Sequence, residues 1–358
     1  MNQQIRFCKS FDGTRIAYAV TGHGPPLVRA PHWLTHLEHE PESPVWRDWI
    51  AELSRRYTLV RADARGCGLS DRDAGEFSLA HYVNDLEAVI DAVGLEHFCL
   101  FGHSQGGAIS VEYAARHPHR VSRMVLLGSY ARGALRRQPS PERVAELEAQ
   151  LKLVETGWGR EDPAYRTMFS TQFIPSATLE QLNSLSELQR RSSPASNAVR
   201  LMRSFFAIDV SEPATRVACP ALLLHGRGDR RVPFEEGRLL ASLIPDAAFE
   251  PLETENHILL PQEPAFRQFF KALDDFLAAR PGGRGSGVLS SLTVREGEIL
   301  ECIARGVDNA QIAAELKVSE KTVRNHITHI FDKLGVQTRA EAIVLARDSG
   351  LGQQSRLR

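Results

Sequence analysis

The sequence lacks any apolar run close to the roughly 18 residues that a membrane-spanning helix needs, and its first six residues hold no apolar signal-peptide core. Cysteine is scarce too, since the 358 residues include only five, an odd number scattered through mostly apolar segments. Structural disulfides and a cysteine-based zinc site are therefore not expected. Such a chain fits best in a reducing cytoplasm, away from membranes.

An excess of one charge is also missing, because 43 basic residues stand against 44 acidic ones, for a net charge of −1. The stretch from Gly285 to Arg358 holds 10 Lys and Arg against 9 Asp and Glu, a net of +1. Totals of this size neither indicate nor exclude a nucleic-acid partner. Such a partner has to be inferred from where the charges fall.

The first 280 residues alternate short apolar stretches with longer helical patterns, which predicts an α/β fold with a mostly parallel sheet. The predicted strands are 15–20, 26–30, 57–62, 98–102, 124–128, 221–226 and 248–252. Residues 130–216 interrupt the alternation with charged and polar sequence that is helical at 141–155 and 178–191. We expect this insertion to form a helical cap over the carboxyl edge of the sheet, where open α/β sheets bind ligands.

Four glycines and a proline between Arg280 and Gly287 mark the clearest boundary, because such a stretch holds neither a helix nor a strand together. We predict a flexible linker at 281–290 between a first domain, 1–280, and a second domain, 291–352. After the linker the pattern is wholly helical.

The most specific motif is a Gly-x-Ser-x-Gly segment, which places Ser104 between Gly102 and Gly106 directly after an apolar run. This pattern is typical of a strand that turns sharply into a helix and exposes the serine hydroxyl beside the free N–H groups of the helix start. A nucleophile belongs there if a neighbouring oxyanion is to be stabilised. The five-residue pattern alone also occurs as a purely structural turn.

A serine nucleophile needs a base and an acid that orients the base, and after such a turn the chain order is Ser, acid, His. Asp229 follows the predicted strand 221–226, and His257 follows the last predicted strand. All three residues therefore fall on loops at one edge of the sheet. Taken singly, Asp229 is also typical of a helix cap and His257 of a solvated or core histidine, but their joint order predicts a catalytic triad.

Residues 11–278 resemble the α/β-hydrolase superfamily, in the branch with a helical cap. Besides the turn at Ser104, the matching motifs are residues 12–18, residues 63–71, Gly228-Asp229 and Asn256-His257. The resemblance implies an oxyanion hole formed by the backbone N–H groups of Gln105 and Trp33. The chain reads Pro31-His32-Trp33 where the family commonly has His-Gly, so this loop departs from the pattern.

Three histidines, His32, His36 and His39, would share one face of a helix, and Glu38, Glu40 or Glu42 would then supply a fourth metal ligand. Against this alternative, His32 follows a strand and Pro31, where a loop is needed. Trp33 also stands where a His-Glu-x-x-His metalloprotease has its glutamate. We therefore expect a loop and a short helix beside the pocket, with no metal and no cofactor.

The C-terminal segment begins with Thr293 and Glu296 in the capping-box pattern of a helix start. A short helix at 309–316 precedes Ser319, a typical cap for a helix at 320–334. One face of that helix is apolar, with Val323, Ile327, Ile330, Phe331 and Leu334. The other face is cationic and amide-rich, which favours a helix-turn-helix reader over an appendage that only packs or dimerises.

Residues 292–347 resemble the LuxR-type DNA-binding domain along their whole length. The matching motifs are Leu292-Thr293-x-Arg295-Glu296, Ile312-Ala313-x-x-Leu316, residues 319–323, His326, residues 333–336 and residues 339–342, with departures at Gly297 and Ala310-Gln311. The candidate contacts to double-stranded DNA are Lys321, Thr322, Arg324, Asn325, His326 and Lys333. Arg and Asn suit base edges, and Lys321 and Lys333 suit phosphates. The resemblance also implies a homodimer through the last helix, 339–348.

Together the two halves predict a one-component bacterial transcription regulator whose hydrolase-like domain senses, and through its triad hydrolyses, a small ester, lactone or thioester. Two alternatives stay open: a ligand receptor whose triad does not turn over, and a serine hydrolase whose C-terminal domain only dimerises or localises it. Aromatic and sulfur side chains of the insertion favour either an apolar chamber or the cap's own core: Trp158, Phe169, Phe173, Met202, Phe205 and Phe206.

Overall fold

A computed structural model describes residues 3–158, 160, 162–278, 292–334, 336, 338–348 and 351–352. The chain divides into two compact units, Met1–Phe276 and Leu277–Arg358. The predicted linker, 281–290, lies outside the described residues. None of the helices in these ranges combines the length and the apolar character that a membrane crossing requires.

The first unit is organised around an eight-stranded sheet. Its strands are β1 Gln4–Lys9, β2 Arg15–Thr21, β3 Pro26–Arg29, β4 Thr58–Ala62, β5 Phe98–His103, β6 Val121–Leu127, β7 Ala221–Gly226 and β8 Ala247–Leu252. Their order across the sheet is β1-β2-β4-β3-β5-β6-β7-β8. The pairs β1·β2 and β2·β4 are antiparallel and all later pairs are parallel. The predicted mostly parallel α/β architecture is thus confirmed.

Helices connect the strands and build the insertion. In chain order they are α1 Arg47–Arg56, α2 Leu79–Val93, α3 Gln105–Arg116, α4 Pro141–Gly157, α5 Pro163–Phe173, α6 Leu179–Ser192, α7 Ala195–Ala207, α8 Ser211–Ala214, α9 Phe234–Leu243 and α10 Pro264–Ala278. Helices α4 to α8 belong to the insertion after β6. Among its described residues, the strand-like pairing is one isolated bridge between Arg132 and Asp209.

The central strands β5 and β7 are buried along their whole length. Burial on both faces requires apolar side chains at consecutive positions, which explains the run Leu222-Leu223-Leu224. The carboxyl ends of parallel strands meet at one edge of a sheet. This edge carries the loops that follow β3, β5, β7 and β8, and with them the predicted site residues.

The sequence did not predict β1, α5 or α7. Strand β1 is the edge of the sheet, its residues are exposed or half-buried, and polar and apolar side chains mix along it. An antiparallel edge strand of this kind gives no continuous apolar run. The helices of the insertion pack mainly on one another, and α5 has a weak apolar pattern of its own.

The described part of the second unit holds four helices: α11 Val294–Ala304, α12 Asn309–Glu315, α13 Glu320–Leu334 and α14 Arg339–Asp348. Thr293 and Asp308 each close a capping box at a helix start, and Ser319 Oγ accepts the N–H of Thr322 at 3.1 Å. The buried cluster takes side chains from all four helices, including Ile299, Ile312, Val323, Ile330 and Ala346. Phe331, expected in the core, is only partly buried.

Candidate functional site

Ser104 lies at the sharp turn between β5 and α3. Its backbone has φ 55° and ψ −127°, a strained conformation for a residue that is not glycine. The turn is tight, because a Cβ on Gly102 would lie 2.6 Å from Gly107 Cα and a Cβ on Gly106 would lie 3.0 Å from Pro31 O. A side chain at Gly102 would force its neighbours apart and one at Gly106 would be tightly crowded, which explains the glycine spacing around the serine.

His257 and Asp229 form a hydrogen-bonded pair at the ends of the neighbouring strands. His257 Nδ1 lies 2.6 Å from Asp229 Oδ2, and both side chains are buried. Asp229 Oδ1 accepts the N–H groups of Arg231 at 2.8 Å and Val232 at 2.9 Å. Burial alone would raise the pKa of Asp229, but the His257 charge and these hydrogen bonds lower it below its ordinary value. The carboxylate is therefore ionised and able to orient the imidazole.

The other imidazole nitrogen, Nε2, is not engaged by Asp229. Among the described residues, buried His257 Nε2 has no hydrogen-bond partner. Ser104 and His257 line the same small cavity, together with His32 and His103. The structure thus brings all three predicted triad residues together, with the base nitrogen unengaged.

A further histidine, His225, lies beside the Asp229 carboxylate and was not predicted from the sequence. His225 Nε2 lies 3.0 Å from Val232 O and 3.6 Å from Asp229 Oδ2, and burial lowers the pKa of His225. Its place at the end of β7, four residues before Asp229, is the only sequence signal that could have indicated it.

The predicted oxyanion donors border a second, larger cleft that Ser104 also lines. Ser104, Gln105 and Trp33 all line one cleft, and within the described chain the backbone N–H groups of Gln105 and Trp33 donate no hydrogen bond to a protein acceptor. Gln105 begins helix α3, so its N–H has no partner within the helix. The Trp33 indole donates to Gln189 Oε1 of α6 at 3.0 Å. This hydrogen bond therefore connects the loop after β3, which differs from the family pattern at Trp33, to helix α6 of the cap.

The three clustered histidines do not share a helical face. His32 stacks on Trp46 at 4.4 Å, while the rings of His36 and His39 lie 4.2 Å apart. The helical turn in this segment is confined to Glu40–Glu42. No group of metal-ligating side chains occurs within the described ranges.

Glu40, one of the carboxylates considered for a metal, is instead committed to arginines. It is fully buried, and its Oε2 lies 2.5 Å from Arg29 Nη2 and 2.8 Å from Arg61 Nη1. Although burial opposes ionisation, Arg29, His32 and Arg61 hold the pKa of Glu40 well below its usual range. The sequence could not indicate this cluster, because its members come from β3, β4 and a turn.

The cleft above Ser104 has an empty volume of about 550 Å³, counted out to solvent. Phe173, Phe205 and Phe206 line it, as the apolar-chamber interpretation expects. Trp158 and Phe169 line a different pocket inside the cap, and Met202 is buried. Sequence reasoning missed the polar lining, which includes Tyr130 and the arginines Arg137, Arg143 and Arg231.

On the second unit, helix α13 presents the predicted polar face. Lys321, Arg324 and Asn325 are exposed, whereas Thr322 and His326 are half-buried. Thr322 Oγ1 also lies 2.8 Å from Ser319 Oγ, at the helix start. The exposed side chains come from the first turns of α13, where a recognition helix contacts base edges.

Lys333, for which the sequence predicts a phosphate contact, has a carboxylate partner within the second unit. Its Nζ lies 2.7 Å from Glu296 Oε2, and Glu296 is nearly fully buried in the capping box of α11. The ammonium group is thus paired with a carboxylate, although the Lys333 side chain remains 36% exposed. The two residues are 37 positions apart in the sequence, so the pairing could not be predicted from local spacing.

Comparison with known proteins decides the family. The sequence model of the alpha/beta hydrolase fold matches residues 39–264, which is 226 of the 358 residues. The chain belongs to the α/β-hydrolase family. In addition, residues 290–346 match the model of bacterial regulatory proteins of the luxR family. This α/β hydrolase therefore carries a C-terminal domain of a regulatory, DNA-binding type.

Two curated relatives cover about three fifths of this chain. The chain is 29% identical over 245 residues to a 2-hydroxy-6-oxo-2,4-heptadienoate hydrolase of Pseudomonas putida, covering 65% of this chain and 83% of the relative. It is 28% identical over 218 residues to a putative carbamate hydrolase of Azorhizobium caulinodans, covering 59% and 78%. Both relatives are described as hydrolases.

Solved structures show the same fold. An esterase from Rhodococcus sp. superposes with a TM-score of 0.61 at 24% identity, covering 77% of this α/β hydrolase and 98% of the esterase. An enol-lactonase from Burkholderia xenovorans gives a TM-score of 0.61 at 22% identity, covering 76% and 99%. Nearly the whole length of each enzyme is matched by about three quarters of this chain.

Proposed function

We propose that this α/β hydrolase is a one-component transcription regulator that hydrolyses a small ester, lactone or thioester at Ser104 and transmits occupancy of that site to DNA binding. The observation that carries the proposal is the His257–Asp229 pair at 2.6 Å, with His257 Nε2 unengaged in the cavity that Ser104 lines. It occurs in a chain that also matches a bacterial regulatory family.

In the proposed reaction, Ser104 Oγ attacks the substrate carbonyl carbon while His257 Nε2 takes the hydroxyl proton. Ionised Asp229 keeps the other imidazole proton on Nδ1 and stabilises the imidazolium. The N–H groups of Gln105 and Trp33 hold the oxyanion.

The imidazolium then protonates the departing alcohol or thiol, which leaves an acyl group on Ser104. Water, deprotonated by His257, attacks this acyl-enzyme and releases the acid. The serine regains its proton from His257, so the site returns to its starting state.

Regulation requires that an occupied site favour one arrangement of the reader domains over another. Within the first unit, the Trp33–Gln189 hydrogen bond connects the proposed oxyanion loop to cap helix α6, so a ligand at that loop could shift the cap. We further propose that the chain works as a homodimer in the cytoplasm, with Lys321, Arg324 and Asn325 contacting DNA.

Two measurements on the full-length chain test the proposal. A fluorophosphonate serine probe should add one adduct, seen by intact mass, and the Ser104→Ala variant should add none. Selection from random duplex DNA should enrich one motif that protects a discrete footprint. An absent adduct points to a receptor with an inert triad, and an absent footprint points to a plain hydrolase; either result overturns the combined function.

A further inference from the structure

All the charged side chains that line the cleft above Ser104 are positive. Its lining residues include Arg137, Arg143 and Arg231, and neither aspartate nor glutamate is among them. The rest of the lining is aromatic, aliphatic or neutral polar. A neutral substrate would gain nothing from this arrangement, whereas an anionic one would.

Two of these arginines have a carboxylate nearby, outside the cleft. Arg143 Nη1 donates to Glu146 Oε2 at 2.7 Å, and both side chains are more than half exposed. Arg137 Nε lies 3.7 Å from Glu236 Oε1 and donates to Arg132 O at 2.8 Å. The charge of Arg143 is therefore offset by Glu146. Arg137 is only partly offset, because Glu236 Oε1 is also paired with Arg132 Nη2, at 2.8 Å.

Arg231 is different, because among the described residues no carboxylate lies within ion-pair distance of its guanidinium. Its Nη1 donates to Gln172 Oε1 at 3.4 Å, and its Cζ lies 5.1 Å from the centre of the Phe173 ring. Both contacts position the guanidinium without neutralising it. Burial and the neighbouring charges of Arg137 and Arg143 lower the pKa of Arg231, although an arginine stays protonated at neutral pH.

Asp229 is close along the chain but is not a free counter-ion for Arg231. Its Oδ2 is bonded to His257 Nδ1, and its Oδ1 accepts the backbone N–H groups of Arg231 and Val232. The carboxylate is thereby committed to the catalytic pair. One partly buried positive charge remains facing the cleft.

We infer that Arg231 binds a carboxylate at the far end of the substrate's acyl chain, so that the substrate is a half-ester or half-thioester of a dicarboxylic acid, or a lactone that bears a free carboxylate. A carboxylate matches the fork of one guanidinium and carries a negative charge that would offset that of Arg231. The inference rests on the proposed hydrolysis at Ser104 and specifies its substrate class.

The test compares two fluorophosphonates that differ only at the chain end, one with a carboxylate and one with its methyl ester. In both, Ser104 Oγ bonds to phosphorus and fluoride leaves, so labelling reports binding and nucleophile activation without turnover. We expect the carboxylate probe to label the full-length protein at least about tenfold faster than the ester, since one charge-assisted hydrogen bond supplies that much.

The variant Arg231→Gln should bring the ratio of the two rates to within about twofold of one. Using the ratio cancels any effect of the lost charge on Asp229 and His257, because both probes share the same chemistry. The matched control is Arg230→Gln, next in the chain, whose side chain is 74% exposed, pairs with Glu255 and does not line the cleft. It should keep the full preference.

A ratio that is the same in the unchanged protein and in Arg231→Gln overturns the assignment while leaving hydrolysis at Ser104 intact. A preference that both arginine variants lose equally also overturns it, because the effect would then come from the general field of the protein. No adduct with either probe overturns the hydrolytic function itself, and the substrate assignment with it.

Discussion

The indole N–H of Trp33 donates to Gln189 Oε1 at 3.0 Å, which joins the oxyanion loop after β3 to helix α6 of the cap. Both side chains are buried, with Gln189 4% exposed. The family commonly has glycine at this point of the loop. In this chain a tryptophan stands there, which restricts the backbone more than glycine and adds a hydrogen bond to the cap.

Gln189→Leu should lower kcat/KM for an ester substrate by about tenfold and the free energy of unfolding by about 1–3 kcal/mol, because it leaves the indole N–H buried without an acceptor. A double-mutant cycle with Trp33→Phe checks the cause. The two substitutions should couple by at least about 0.5 kcal/mol. Simple addition of the two single effects would show that the contact does not hold the loop.

Asp229→Asn should lower kcat by on the order of 10⁴, because an amide in place of the carboxylate favours the wrong imidazole tautomer. The fold should survive, since Asn keeps an acceptor for the N–H groups of Arg231 and Val232. Kinetics at neutral pH, together with an unchanged circular dichroism spectrum, check this expectation. A loss of less than about tenfold would remove Asp229 from the mechanism.

On DNA, two lysines of helix α13 should behave differently. Lys321 is exposed at the start of the helix, whereas Lys333 is paired with Glu296. Lys321→Gln should reduce the slope of log affinity against log salt concentration by about one, the loss of one phosphate contact. Lys333→Gln should leave that slope unchanged, and equal losses in both variants would restore Lys333 as a phosphate ligand.

The Lys333–Glu296 pair should also make the second unit sensitive to acid. The hydrogen bond from Lys333 lowers the pKa of Glu296 from an ordinary value of 4.5 to about 2. A carboxyl whose pKa is lower in the folded state stabilises fully above pH 4.5, and this stabilisation is lost as the pH falls toward 2. Lys333→Gln should therefore be less stable than the unchanged protein at pH 6, with the difference shrinking by pH 3.

Urea unfolding resolves this effect, because all four tryptophans, Trp33, Trp46, Trp49 and Trp158, belong to the first unit. Tryptophan fluorescence then follows the first unit and circular dichroism at 222 nm follows both. The change should appear only in the dichroism. A stability difference that does not depend on pH would contradict the assigned pair.

The sequence predicted the features that depend on neighbouring residues. Ser104 was visible because its two glycines lie within the same turn, and Asp229 and His257 because each follows a recognisable strand. The helix cap at Ser319 and the capping box of Thr293 and Glu296 were predicted for the same reason. Local spacing carries this information without any knowledge of the tertiary structure.

The features that were missed join distant segments. The Arg29–Glu40–Arg61 cluster brings together three parts of the chain. Arg231 lines the cleft only because the cap residues around it pack against its loop. Strand β1 was not predicted because an exposed edge strand needs no apolar run. Such contacts depend on the packing of one element against another, which periodicity does not encode.

The central claim, that the hydrolase site controls DNA binding, is tested most directly by one comparison of affinities. The dissociation constant for the selected DNA motif is measured with unmodified protein and with protein whose Ser104 carries the fluorophosphonate adduct. Ser104→Ala, exposed to the same reagent, serves as the control. We expect a change of at least about fivefold, the lower end of typical allosteric coupling, in the labelled protein alone. Equal dissociation constants would contradict it and leave a hydrolase and a DNA-binding domain that share a chain without communicating.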